Sequence, residues 1–470
     1  MKKIIAAILK RIGRHRGAPR LYIEGQAPAR GGFTPGVRYS LERHEGRQAL
    51  VLRLDRQGTK VVSRKVKSDR EQPVIDLNSH EALGLFADME SVRVIIRPGE
   101  IWIVPEAVEV RRRERVSRLA SELAEGRIST AAIAHGAGVM THAMHTGLKD
   151  AGIQPRLKWA IELEEDALDQ ACRVNDAWSG DTIAVAMPLQ QVAFADSYVR
   201  GCLEPVSLLE AGLPCTAASV AGRSKKRLAQ AEDDGAAGHL VAGFLALVAQ
   251  ANPAIMVLEN VVPYFSTASA AILRTQLREL GYDVQEVTIE GGDYAIEKRT
   301  RRVMVAVTHG LSMDVEAFLS HPAPEKAHRK VGDVLEPVAA DDPCWSAMTY
   351  LREKEARDAA AGKGFRMAIV GPDATEVGTI GAGYQKNRST EPKLAHPENP
   401  ALLRLFTPVE HARLKGIPEK LIAGVESATR AHEMLGQSVI WPAFRHLGHF
   451  IGQSIRPLAQ LRHPVMTAAA

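Results

Sequence analysis

Four short stretches of this 470-residue chain combine residue types that can do chemistry. HGAGV, at His135–Val139, follows an apolar run and precedes a helical pattern. Its glycines let backbone approach a ligand, and the helix start offers free N–H groups. Glu162 ends the next apolar run, LKWAI, where an acid can accept hydrogen bonds from a ribose. AGLPCTAASVAG, residues 211–222, sets Cys215 behind the rigid Pro214 in a loop of small residues. As a thiolate Cys215 is a nucleophile; as an isolated thiol it is equally a small buried hydrophobe. VLENVVPYF ends an apolar run in Glu259, next to Asn260. That acid either caps the following helix or, kept protonated in a dry pocket, donates to a ring nitrogen. In EKRTRRVMVAV, Arg299 and Arg301 alternate on the approach to a strand and so share one face. They read as a solvated charge run, or as forked donors for a carbonyl oxygen or phosphate.

These stretches need a scaffold that brings strand ends together. From about Ile128, short apolar runs (LKWAI, PAIMVLEN, RVMVAV) alternate with longer stretches of helical period such as THAMHTGLKDAG and SAAILRTQLRELG. Strands separated by helices of that length predict an α/β fold with a doubly wound, mostly parallel sheet over residues 116–307, whose sites lie at the carboxyl ends of the strands. Before it, residues 21–110 alternate apolar with polar positions and are punctuated by Gly and Pro, which predicts a small β-rich accessory domain. An Arg-rich helix, VRRRERVSRLASELAEG, links the two. Residues 308–402 lack a clear period and read as an irregular insertion. Residues 403–470 are helical and open on a Thr407/Glu410 capping box.

Composition bounds the function classes. There are 60 Lys and Arg against 55 Asp and Glu. Seven of the basic residues (Lys2, Lys3, Lys10, Arg11, Arg14, Arg16, Arg20) fall in residues 1–20, which hold no acid and read as a basic tail. The remaining 53 basic and 55 acidic residues leave a net of −2, so bulk charge alone names no polyanionic partner. Four cysteines without a CxxC give neither a disulfide framework nor a zinc site, so no metal is expected. The first apolar run spans only Ile4–Leu9, and no stretch is long enough to span a membrane. A cytoplasmic protein is the expectation.

Taken in order, the stretches resemble the DNA cytosine-5 methyltransferase family. HGAGV, Glu162, Gly180-Asp181, LPCTAASVAG, LENV and EKRTR follow one another as the family's blocks do, and RLFTPVEHARLKGIPE and LGQSVIWPAF are similar to its last two. The likeness covers about Ser129 to Gly452, with residues 308–402 where the family carries its target recognition region. It implies the fold of S-adenosylmethionine-dependent methyltransferases, S-adenosylmethionine as cofactor and double-stranded DNA as substrate. Cys215 then attacks carbon 6 of a flipped-out cytosine, Glu259 holds the ring, and Arg299 and Arg301 face its carbonyl and the nearby backbone. The cofactor falls to Gly136, Gly138, Glu162, Asp181, Pro214, Gln437 and Ser438. A partner restriction endonuclease goes with such enzymes. The chain departs from the family at Ala134 for Phe, Val139 for Gly, Leu213 for Pro, Glu297 for Gln and Gln437 for Asn. Two other readings stand beside this one: a tRNA cytosine-5 methyltransferase, and a non-catalytic DNA-binding regulator on a degenerate methyltransferase fold.

Overall fold

A computed structural model describes residues 3–67, 70–86, 89–214, 230–234 and 238–460. The chain divides into two compact units, Met1–Ser117 and Arg118–Leu461, with the boundary inside the linker helix Ala107–Ala124.

The first unit is built from antiparallel strands. Six of them form one sheet in the order Ala6–Arg11, Ser91–Arg97, Glu100–Pro105, Ala49–Leu54, Arg38–His44 and Lys60–Val61. Four more form a second, in the order Gly13–His15, Ala18–Glu24, Arg70–Leu77 and Ser63–Lys67. Leu21, Ile23, Phe33, Leu52, Ile75 and Ile96 are among its core residues. The basic segment is therefore no tail: Ala6–Arg11 lies in register with Ser91–Arg97, from Ala6 opposite Ile96 to Arg11 opposite Ser91. Ile5, Ala6, Ile8 and Ile12 pack on the core from between the lysines and arginines. The apolar positions of that segment carry a strand pattern that its charge conceals.

The second unit holds a seven-stranded sheet. Its strands are β1 (Arg127–Ile133), β2 (Gln154–Glu162), β3 (Ile183–Ala186), β4 (Leu208–Ala211), β5 (Ile255–Asn260), β6 (Tyr282–Glu290) and β7 (Thr300–Thr308). The order across the sheet is β3-β2-β1-β4-β5-β7-β6. Neighbours from β3 to β5 are parallel, whereas β7 runs antiparallel to both β5 and β6. The inner strand β5, IMVLEN, is buried throughout, as strands covered on both faces are. Val257, Val303 and Val305 face a core formed with α1 (Val139–Asp150) and α7 (Trp441–Ile455). Met256, Leu258 and Met304 face the opposite core, formed with α3 (Leu240–Ala251) and α4 (Ala268–Glu279). Helix α2 (Glu165–Val174) follows β2, and α5 (Pro408–Leu414) and α6 (Ala428–Gln437) precede α7. Residues 308–402 contribute one longer helix, Thr349–Ala360, and the strand Ile369–Val370, which pairs with Lys393–Ala395, which in turn pairs with Leu403–Arg404. Among the described residues no helix is long and apolar enough to cross a membrane.

Helices α1 and α7 approach until their backbones touch. A Cβ on Gly147 would lie 1.9 Å from the Arg445 carbonyl oxygen, and one on Gly448 would lie 2.4 Å from that of Met144. Gly452 abuts Ala151 in the same seam. Backbone cannot yield as a flexible side chain does, so overpacking here costs at least about 1–3 kcal/mol. Gly448→Ala is expected to lower the thermal unfolding midpoint despite its better helix propensity, while Gly180→Ala, in open space, leaves it unchanged. Calorimetry on the purified variants checks both.

Candidate active site

The carboxyl ends of β1, β2, β4 and β5 and the amino end of the antiparallel β7 share one sheet edge. Beyond β1 the backbone turns through three left-handed residues, Ala134 (φ 53°), Gly136 (φ 55°) and Gly138 (φ 74°), into α1. A buried chain of hydrogen bonds supports this loop. The Trp178 indole N–H donates to His135 Nε2 at 3.2 Å, so the neutral ring carries its hydrogen on Nδ1. That Nδ1 meets Thr141 Oγ1 at 3.0 Å, and the threonine hydroxyl donates to the Glu210 carboxyl. Burial drives His135 down to about 3 and Glu210 up to about 8, so both are uncharged at neutral pH. Glu162 closes the loop from β2. One of its oxygens accepts the Gly136 N–H at 2.6 Å, and the other accepts those of Leu163 and Glu164 at 2.7 and 3.1 Å. A Cβ on Gly136 would meet nothing within 4 Å. A carboxylate at a strand end, open backbone above the loop and a helix N-terminus together fit the nucleoside portion of the expected cofactor.

On the next strands, Glu259 and Arg301 form an ion pair, Oε1 to Nε 2.7 Å, with both side chains mostly buried. The other Glu259 oxygen lies 3.7 Å from where a Gly212 Cβ would sit, and the Ala134 carbonyl lies at 3.8 Å. The Gly loop, the loop after β4 and the Glu259–Arg301 pair are thus neighbours. Leu213 is buried, and its carbonyl accepts a 3.0 Å hydrogen bond from the Asn260 side chain, whose oxygen accepts the Val261 N–H at 2.8 Å. Pro214 is exposed and is the last described residue of this loop; Cys215 lies outside the described residues.

The remaining expected site residues divide. Arg299 shares a face with Arg301 but is turned to the C-terminal block, where its Nη2 donates to the Gly436 carbonyl at 2.8 Å. Arg302, on the opposite face, pairs with Glu286 at 3.0 Å, and Thr300 donates to Glu290 at 2.5 Å. Gln437 is exposed at the end of α6, while the Ser438 hydroxyl donates to the Met434 carbonyl at 2.6 Å. Met434 packs on Ala137, which brings this block to the Gly loop. Asp181 is not brought in. It precedes the amino end of β3, two positions before Ile183, which pairs with Trp159, while Glu162 pairs with Ala186 at the other end. Its carboxylate is exposed and salt-bridged to Arg156 at 2.6 Å. Met187, whose N–H donates to the Glu162 carbonyl at 3.0 Å, stands at the level where Asp181 was expected.

Three contributors had been assigned no role from the sequence. Asn260 clamps the loop that leads to Cys215. Lys415, fully buried, donates to the carbonyls of Leu435 and Ser438 (the latter at 2.7 Å) and so holds the turn after α6. Burial and the neighbouring Arg299 push its ammonium well below the usual lysine range. Glu210 was legible in one respect, as an acid inside the otherwise apolar run SLLEA. Its folded form holds a proton that the unfolded chain releases near 4.5, so the native state binds more protons between about 4.5 and 8 and loses stability as pH rises across that window. Glu210→Gln, with no proton to lose, is expected to flatten this slope. Urea denaturation at about pH 5 and pH 8 should show wild type losing stability relative to the variant; parallel curves refute the assignment.

Known proteins share sequence and fold with this chain. A family model for C-5 cytosine-specific DNA methylases matches residues 188–453. The type II methyltransferase M.NlaX of Neisseria lactamica is 30% identical over 253 residues, 51% of this chain and 73% of that protein. M.SsoII of Shigella sonnei is 27% identical over 255 residues and M1.ScrFI of Lactococcus lactis subsp. cremoris 28% over 243. Of those two proteins the matches span 63% and 59%, less than two thirds of their length. The S. pombe Dnmt2 methyltransferase shares the fold with a TM-score of 0.53 at 18% identity, over 71% of this chain and 99% of that one. The Entamoeba histolytica methyltransferase EhMeth does so at 0.52 and 15%, over 69% and 98%. The chain belongs to the C-5 cytosine-specific DNA methylase family.

Proposed function

We propose that this chain methylates carbon 5 of cytosine in a defined duplex DNA sequence, using S-adenosylmethionine. The observation that carries the reading is the Glu259–Arg301 ion pair beside the loop that leads to Cys215 and beside the Gly loop. Bound S-adenosylmethionine supplies an electrophilic methyl group. Glu162, Gly136 and Gly138 hold its nucleoside and methionine ends, with Pro214, Gln437 and Ser438 at the margins. The Cys215 thiolate attacks carbon 6, which breaks the ring's aromaticity and makes carbon 5 nucleophilic toward the methyl group. Glu259 holds N3 and the exocyclic amine, and Arg301 faces the carbonyl oxygen. Arg299 acts at one remove by fixing the turn that carries Gln437 and Ser438. Removal of the carbon 5 proton by a base lets the C6–sulfur bond break, which releases the thiolate and 5-methylcytosine. These groups cannot reach a stacked base, so the target is flipped out of the duplex.

Residues 308–402 supply the surface that reads base edges, since sequence readout needs a dedicated element in a groove. The type II naming of the relatives supports a companion restriction endonuclease, and such a pair works in the cytoplasm.

The test uses duplex DNA containing 5-fluorocytosine, in which carbon 5 carries no removable proton and elimination stalls. With cofactor present, the wild type is expected to form a denaturation-resistant adduct, and Cys215→Ser none. Glu259→Gln is expected to lower kcat by about a hundredfold or more on ordinary duplex. Full turnover by Cys215→Ser overturns the mechanism.

A further inference from the structure

Charge is divided unequally between the two units. Residues 1–117 hold 24 Lys and Arg against 14 Asp and Glu, a net of +10, whereas residues 118–461 hold 35 against 41, a net of −6. The family match begins at residue 188, so the unit that carries the positive charge lies outside it. A catalytic unit of negative net charge gains no long-range attraction for a polyanion from its own bulk field.

Within the first unit, much of the basic charge is neutralised. Arg20 makes two hydrogen bonds to Asp76, at 2.8 and 2.7 Å; Lys65 pairs with Glu24 at 3.1 Å and Arg64 with Glu71 at 3.0 Å. Arg11, Arg14 and Arg16 are different. All three are exposed, and none forms an ion pair or hydrogen bond through its side chain among the described residues. Arg11 ends the sheet strand Ala6–Arg11, opposite Ser91, and Arg14 and Arg16 follow it on one short arm. Gly13–His15 folds back on Ala18–Glu24 through Arg16 and Gly17, whose φ angles of 50° and 81° make the two-residue turn that suits a twisted hairpin. Gly13, Arg14 and His15 are exposed on both faces of the strand, so the arm projects from the sheet. At its base, Arg20 and Lys65 lie over the Tyr22 ring, 5.4 and 5.8 Å from its centroid. Three uncompensated arginines, one at the end of a paired strand and two on the projecting hairpin that follows it, make a concentrated positive site that a polyanion can neutralise. Duplex DNA, with one negative charge per about 1.7 Å of axis, is the partner that matches.

We propose that the N-terminal unit is a second DNA-binding site, one that grips the phosphate backbone of duplex DNA without regard to sequence through Arg11, Arg14 and Arg16. Duplex DNA as the occupant rests on the methyltransferase reading, and the unit's role is to hold the substrate while the catalytic unit searches it. Phosphate contacts of this kind give affinity and sliding, not specificity.

The experiment measures binding of the full chain to a poly(dA)·poly(dT) duplex by fluorescence anisotropy over a salt series. That duplex contains no cytosine, so the result stands whether or not methyl transfer occurs. Loss of three phosphate contacts in Arg11→Gln/Arg14→Gln/Arg16→Gln is expected to make the slope of log K against log salt less negative by about 2–3 and to weaken binding tenfold or more at low salt. The corresponding triple Lys variant should retain both. On a cytosine-containing substrate duplex, the Gln variant should show a raised KM for DNA with kcat unchanged. An unchanged slope and affinity in the Gln variant overturns the proposal. So does tenfold tighter binding of the wild type to duplex RNA or to vesicles of anionic lipid than to duplex DNA.

Discussion

An ion pair made across two antiparallel strands organises the catalytic end of the sheet. Glu259 ends β5, and Arg301 lies near the beginning of β7. Reversal of β7 brings its amino end to the edge where β5 delivers its carboxyl end. The two side chains then project from the same face, toward α1 and the C-terminal helices. Either charge left alone in such a mostly buried position costs several kcal/mol, so each residue requires the other. The pair in turn fixes the neighbourhood. Gly212 passes within van der Waals reach of Glu259, and Asn260, one step along the strand, ties down the Leu213 carbonyl. On the mechanism proposed above, a loop that leads to the nucleophile needs this restraint, because a displacement of about 1 Å is enough to forfeit much of the rate.

Much of this arrangement was visible in the sequence as pattern. Strand ends were marked by an acid or a small-residue loop after each apolar run, and the two-residue period placed Arg299 and Arg301 on one face. Pattern did not reveal the acceptors. Alternation cannot say that Arg301 meets a carboxylate while Arg299 is drawn off by the Gly436 carbonyl, since that depends on a helix more than a hundred residues away. Asp181 shows the weakness of a two-residue signal. Gly-Asp has no period of its own, and it stands before the amino end of β3, away from the strand ends where the cofactor residues gather. At the N-terminus the density of lysine and arginine hid Ala6, Ile8 and Ile12, whose even-numbered positions share the covered side of a strand. Charge dominated the reading because it is conspicuous, whereas burial decided the structure.

The second unit also buries more polar chemistry than its apolar strands suggest. His135, Thr141 and Glu210 form a connected series beneath the Gly loop, and Lys415 donates to two carbonyls at the carboxyl end of α6. Each such group is costly to leave unpaired, so each excludes arrangements in which its partner is displaced. A phenylalanine absent at Ala134 leaves that loop without an aromatic at its first left-handed residue. The buried histidine next to it, fixed in one tautomer by Trp178, gives the turn a different source of rigidity.

The seam between α1 and α7 bears on how the protein is made. Gly147 and Gly448, which face each other there, are 301 positions apart in the chain. When the first six strands have left the ribosome, α1 still lacks the surface it is shaped to meet, and its glycines leave a groove rather than a face. That contact closes only after the whole of residues 308–402 has been synthesised and α7 follows. Contacts of such sequence separation are slow to form because loop closure precedes any gain from packing. Assembly of the catalytic edge is therefore a late event in synthesis, and an incomplete chain carries the sheet without the helix that seals it.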